Sequence, residues 1–274
     1  MSLESLFTET ANLPNIPKII QNLITKFNDS NASANDISKD IQMDQVLSAK
    51  IIRLANSARY GAGRKVASID SAVVMLGTDT LKTLVVASGV TGAFKDIPNF
   101  NMKAFWRDSF MVASICKLIA KHTDSDSETA FTCGMMHNIG ELLIHTAKPE
   151  QAIQIDKLVQ AGAKRKDLQE NQFGFHYAQV SAELAKRWNF PQNIVQALRQ
   201  QIAPNSYEDY SPYSGIIYLG NYLNDAFKDN RDPEIVLSEF PSEIAKPLHI
   251  NLISFFEALV ELTKAEDDIE SILN

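Results

Sequence analysis

DQVLSAKIIRLANSARY (Asp44–Tyr60) places Leu47, Ile51, Leu54, Ala55 and Ala58 at the i, i+4, i+7, i+8, i+11 spacing of one buried helix face. The same periodicity recurs along nearly the whole chain. Alternating polar and apolar stretches of strand length are almost absent, so the expected fold class is all-α, a multi-helix globule. Leu13-Pro14-Asn15-Ile16-Pro17 is a stiff turn, and Pro17 can open a helix running to Phe27. Gly61 and Gly63 are expected to end the helix holding Asn56 and Tyr60. Ser68 can cap a helix over 69–76, which Gly77 closes, and Thr78 a further one to Ala93. Residues 96–101, with Pro98, read as a connection. Helices are then expected over 102–122, 127–145, 149–161, 165–172, 176–188 and 213–227, with another from Pro191 to Pro204. Residues 229–232 read as a charged linker, and 251–273 as an amphipathic tail helix with an acidic end.

The chain has 274 residues, of which 45% are hydrophobic and 22% charged, enough for one large or two small domains with a real core. Its net charge of −7 argues against a dedicated nucleic-acid binder, because phosphate contacts need clustered Lys and Arg. The densest basic run, Lys164-Arg165-Lys166, reads as a solvated turn. Cys116 and Cys133 are far apart in apolar segments and read as buried free thiols in a reducing compartment. The residues at the N-terminus lack the pattern of a signal peptide, and no apolar run is long enough for a membrane helix. The expected location is the cytoplasm, with no membrane partner.

His137-Asn138-Ile139-Gly140 is the first place to look for chemistry. A histidine there could bind a metal or act as a base, but a lone helical histidine is more often a hydrogen-bonded core residue. A catalytic metal site needs about three protein ligands, usually His with Asp or Glu. The remaining histidines, His122, His145, His176 and His249, show no H-x-x-x-H or H-E-x-x-H spacing. Gly61-Ala62-Gly63-Arg64-Lys65 could hold an anion, although a helix C-cap turn is the better reading because the strand-loop-helix context of a phosphate loop is missing. No G-x-S-x-G elbow surrounds a serine, and neither cysteine has a Cys-His signature. Trp106 and Trp188 read as packed residues with hydrogen-bonded indoles.

Several segments together resemble the HDOD domain family, the HD-related output domains. Leu13 to Pro17 is similar to its L-P-x-x-P opening, and Asp44 with Lys50 to Tyr60 to its most recognisable block. Ser68 to Val73 and Leu76-Gly77 match the next block, and Trp106-Arg107-Asp108-Ser109 resembles its W-x-x-S. His137-Asn138-Ile139-Gly140 stands where the family usually has H-D-I-G. Glu170, Gly174, His176 and Trp188-Asn189-Phe190-Pro191 match its later elements. The resemblance covers residues 13–222. It implies an N-terminal helical lobe over about 1–97 packed on an HD-like lobe over about 98–228, with 229–274 as linker and C-terminal helix.

Active HD phosphohydrolases hold metal through a first His, a His-Asp doublet and a final Asp. By motif, Ser109 stands at the first His, His137 at the doublet His, Asn138 at its Asp and Asn221 at the last Asp. The resemblance therefore implies a vestigial site, with no cofactor, in which two carboxylates have become neutral amides and an imidazole a hydroxyl. Those four side chains are expected to form a buried polar network. Gln200-Gln201 stands where the family often has a His-His pair. The implied function is non-catalytic: a regulatory domain of bacterial signal transduction binding a protein partner, with Asn56, Tyr60 and Arg64 lining the docking cleft. Asn56 capping or bridging helices is the plainer alternative. Two rivals remain. One is a degenerate phosphohydrolase using His137 and His176 with Glu141 or Glu170, Glu141 sharing a helix face with His137. The other is a nucleotide-sensing domain using the loop 61–65.

Overall fold

The computed structural model describes residues 2–10, 13–27, 33–56, 66–94, 96–250, 255 and 258–259. Among these there are helices and turns and no strand, as the periodicity requires. Helices α1 (Leu3–Glu9), α2 (Lys18–Phe27), α3 (Ala34–Gln42) and α4 (Gln45–Ala55) precede the long α5 (Ile69–Gly92). Helices α2, α3 and α4 pack on α5. The Ser68 hydroxyl accepts from the Ser71 amide at 3.2 Å and so caps α5. Gly77 at φ 75° breaks this helix into two arms, the left-handed backbone that only glycine adopts freely.

Helices α6 (Met102–Lys121), α7 (Ser127–Met136), α8 (Ile139–Ala147), α9 (Pro149–Gln160), α10 (Arg165–Phe173), α11 (Tyr177–Arg187), α12 (Gln192–Gln200) and α13 (Pro212–Lys228) make the second half. Helices α6 and α7 lie very close because Gly134 has no side chain. A Cβ there would sit 2.4 Å from the Ala113 Cα. Helix α13 covers α6, and α11 packs between α8 and α12. The two halves join where α5 crosses α7. There the buried Glu128 carboxylate takes the Lys117 ammonium at 2.5 Å and the Thr83 hydroxyl.

The N-terminal turn also bridges the halves. The Trp188 indole donates to the Pro14 carbonyl at 3.0 Å. Arg187 lies 4.4 Å over the Phe7 ring and pairs with Glu4 at 3.1 Å. Trp106 and Trp188 both pack on Phe94, with ring centroids 6.2 and 6.1 Å away.

Two sequence expectations fail. The helix expected over 127–145 is broken into α7 and α8 at His137 and Asn138. The stretch after residue 232, expected as linker, instead forms α14 (Pro233–Ser238) and α15 (Ser242–Ala245). Asp232 caps α14 by accepting from the Glu234 amide at 2.8 Å, and the Tyr222 hydroxyl donates to the Val236 carbonyl at 2.9 Å. Of the expected tail helix, Phe255, Ala258 and Leu259 are described and helical, with Phe255 packed edge-on to His122. The rest of that expectation lies outside the described residues. No single helix among them is long and apolar enough to cross a membrane.

Candidate functional site

The break between α7 and α8 builds the site. Gly140 comes so close to α11 that a Cβ would lie 2.2 Å from the Tyr177 carbonyl oxygen and 2.9 Å from the Ser181 nitrogen. Seating α8 there turns the chain at His137 and frees backbone groups that a continuous helix would pair. The Ser181 hydroxyl takes up two of them, accepting from the Gly140 amide at 2.9 Å and donating to the His137 carbonyl at 3.1 Å. Gln201 Nε2 donates to the same carbonyl at 2.8 Å.

Ser109, fully buried on α6, has its hydroxyl 2.8 Å from the Phe105 carbonyl and 3.0 Å from the side-chain amide oxygen of Asn138. His137 Nδ1 bonds the Gly134 carbonyl at 2.6 Å. Burial pulls this imidazole down to about 4, against the upward pull of the Gly134 carbonyl and Asp108, so it is neutral at physiological pH. The expected four-residue network is thus only partly formed. Ser109 and Asn138 meet, whereas neither His137 nor Asn221 hydrogen-bonds to them among the described residues. Asn221 follows Gly220, which faces Cys116 nearly two helical turns beyond Ser109.

His176 is buried, with Nδ1 unpartnered and Nε2 3.8 Å from a Glu170 oxygen. Burial lowers its affinity for a proton, and Glu170 only partly offsets this. The glutamines at 200 and 201 have separate structural tasks. Gln200 holds the loop before α13, donating to the Asp209 carbonyl at 3.0 Å and accepting from the Ser211 amide at 2.8 Å. Gln201 secures the helix break.

These donors do not fit a divalent metal. A hydroxyl, a neutral amide and an imidazole already tied at one nitrogen supply no carboxylate and no formal charge. Among the described residues no three His, Cys, Asp or Glu side chains converge as ligands.

Glu141, one of the two carboxylates the hydrolase reading would recruit, does not share a helix with His137. It belongs to a different buried cluster. Its oxygens accept from Gln169 at 2.9 and 3.1 Å and from Arg165 at 3.1 Å. Arg165 also holds Asp156 at 2.6 Å, and Asp156 takes His145 Nε2 at 2.8 Å. Arg165 therefore contradicts the reading of Lys164-Arg165-Lys166 as a purely solvated turn. Burial raises the Glu141 carboxyl despite Arg165 and Gln169. Burial acts downward on His145, but Asp156 and the Glu141 carbonyl outweigh it and hold the ring above its usual range. A histidine ring-proton titration is expected to separate the two imidazoles, His137 titrating near 4 and His145 above the ordinary 6.5. The reverse order would refute these partner assignments.

Asn56 takes the plainer of its two roles. Its Nδ2 donates to the Ile52 and Val66 carbonyls at 2.9 and 2.7 Å, and its Oδ1 accepts from the Val66 amide at 2.7 Å. Both amide protons are thus spent on joining the backbone at either end of residues 57–65. Tyr60, Arg64 and the loop 61–65 lie outside the described residues. A cleft of about 760 Å³ opens elsewhere, between the N-terminal turn, the end of α5 and the α8–α9 corner. Leu13, Pro14, Phe94, Ile97, His145 and Ile153 line it.

Helices throughout the described residues, with a His-Asn doublet at a stitched helix break, give the organisation expected of an HD-related domain. The sequence profile of the HDOD domain family matches residues 13–204, and the chain belongs to this family. It is similar to a crystal structure from Shewanella amazonensis SB2B, provisionally named a phosphohydrolase. That match has 33% identity and a TM-score of 0.85 and covers 98% of each chain. A provisionally named signal transduction protein from Marinobacter aquaeolei VT8 has the same fold. It is 20% identical with a TM-score of 0.82, over 99% of this chain and 64% of that one. A curated protein of Treponema pallidum (strain Nichols), described only as uncharacterized, is 26% identical over 230 residues. The chain spans 44% of that relative's length.

Proposed function

We propose that this chain is a non-catalytic regulatory domain of cytoplasmic, bacterial signal transduction that acts by binding another protein. The observation that carries the reading is the neutral pairing at the doublet. The Ser109 hydroxyl meets the Asn138 amide at 3.0 Å where a catalytic relative needs a His and an Asp on a metal. Without a charged ligand set there is no means to lower the pKa of a bound water for attack on phosphorus. The signalling name of the Marinobacter protein is consistent with this role. A division at about residue 97 is compatible with it too, since α5 against α7, together with the N-terminal turn against Trp188 and Arg187, would carry a change on one side to the other.

The phosphohydrolase name of the Shewanella relative favours a second reading, hydrolysis through His137 and His176. One experiment decides between them. Protein purified without chelator is analysed for metal and assayed against generic phosphodiesters with added manganese, iron or zinc. The expected result is substoichiometric metal and no turnover above buffer. Stoichiometric metal, with turnover that His137→Ala abolishes, would overturn the proposal. A nucleotide sensor would instead show a thermal shift with a nucleotide and no hydrolysis.

A further inference from the structure

We infer that the exposed face of α4 is a docking surface for this chain's own C-terminal segment, residues 261–274. In a chain of net charge −7, residues 45–69 carry Lys50, Arg53, Arg59, Arg64 and Lys65 and no carboxylate. Within the described part, Val46, Ala49, Lys50 and Arg53 line a shallow groove of about 370 Å³ along one side of α4. Neither Lys50 nor Arg53 has a carboxylate partner among the described residues.

The groove adjoins apolar surface. Met43 is 79% exposed, Val46 68% and Val74 87%. Gln42, next to Met43, donates to the Asp70 carboxylate at 3.2 Å, and Val74 follows Asp70 by one turn of α5 on the same face. Val46 lies in the groove itself, and Met43 and Val74 stand beside the Gln42–Asp70 contact that joins α3 to α5. An exposed aliphatic side chain in a groove with two cations that have no carboxylate partner among the described residues suits something apolar and acidic.

Residues 261–274 read ELTKAEDDIESILN and have that chemistry. Leu262, Ile269, Ile272 and Leu273 recur at i, i+7, i+10 and i+11, a helical period in the sequence, among five carboxylates and a single lysine. Leu259, just before the segment, is buried in the fold, so the acidic stretch is tethered to it. Fourteen residues reach ~45 Å extended or ~21 Å as a helix. Tethering raises the effective concentration, so even modest charge and apolar complementarity populates the contact. This contact does not depend on the signalling reading, and either can fail alone.

The test is amide hydrogen exchange read by mass spectrometry on the full chain. Amides of 261–274 are expected to be protected at low salt, and to lose at least about tenfold protection in the Lys50→Glu/Arg53→Glu variant. Adding Asp267→Lys/Glu270→Lys to that variant is expected to restore protection. If Lys50→Glu/Arg53→Glu does not fold, Asp267→Lys/Glu270→Lys alone must produce the loss. Absence of protection in the parent chain, or protection indifferent to these charges, overturns the inference. Protection that rises with protein concentration alongside a doubled mass in solution also overturns it, because the occupant is then a second copy.

Discussion

Gly140→Ala is expected to cost at least about 3 kcal/mol of stability, a large fraction of what a domain of this size has. The new Cβ would fall 2.2 Å from the Tyr177 carbonyl oxygen, 2.8 Å from the Val180 Cβ and 2.9 Å from the Ser181 nitrogen. Two of these atoms are backbone at the start of α11, so no rotamer change relieves the clash. Helix α8 must move off α11, and with it go the Gly140–Ser181 bond and the carbonyl contact that Ser181 makes to His137. Gly92→Ala is the control. It lies in the last turn of α5 with no atom within 4 Å of where a Cβ would stand, and is expected to be neutral or stabilising by up to about 1 kcal/mol. Urea midpoints for both variants measure the difference. Equal midpoints would show that α8 and α11 do not touch as described.

That contact also explains what the sequence could and could not reveal. The break at Gly77 was legible, because glycine between two apolar stretches after a serine cap is a local signal. The break at His137 and Asn138 was not. Neither residue stops a helix by itself, and the cause is the approach of α11, some forty residues further on. One mistaken helix carried a second error, since the phase that put Glu141 beside His137 does not survive the turn. The family blocks pointed to Ser109 and Asn138, whose side chains meet at 3.0 Å, but they could not say that His137 turns to the Gly134 carbonyl instead, nor that Gly220 seats Asn221 farther along α6. Arg165 misled for a related reason. Its partners Glu141 and Asp156 lie on other helices, so nothing local distinguishes it from the exposed lysines on either side. Residues 233–248 lack long periodicity, and only the cap at Asp232 followed by Pro233 hinted at a helix.

Arg165→Met is expected to destabilise the fold by about 2–3 kcal/mol at pH 7.5, because it leaves buried Glu141 without its cation. The low end allows for Arg165 being 28% exposed. The loss is expected to shrink in mild acid, and the sign follows from the direction of each shift. Burial holds the Glu141 carboxyl above its ordinary 4.5 even with Arg165 present, and removing the guanidinium raises it further. A carboxyl with a raised folded pKa binds its proton more tightly in the fold than in the unfolded chain, so stability rises as pH falls through that folded value. His145 acts in the same direction. Its raised folded pKa gives stability fully present below 6.5 and lost as pH rises through the folded value. Asp156 opposes, because against the upward push of burial His145 and Arg165 hold its carboxyl low in the parent, and losing Arg165 weakens that opposition. The Arg165→Met chain should therefore regain part of its loss as pH falls from 7.5 towards 5. Glu141→Gln in the same background should regain it at pH 7.5 as well, since a neutral amide can keep the Gln169 contact without a buried charge. Chemical denaturation of the parent, the single and the double variant at both pH values reads this directly. A loss of equal size at pH 5 and 7.5, unrelieved by Glu141→Gln, would mean that Arg165 stabilises through packing of its stem, and the charge on Glu141 would be irrelevant to the fold.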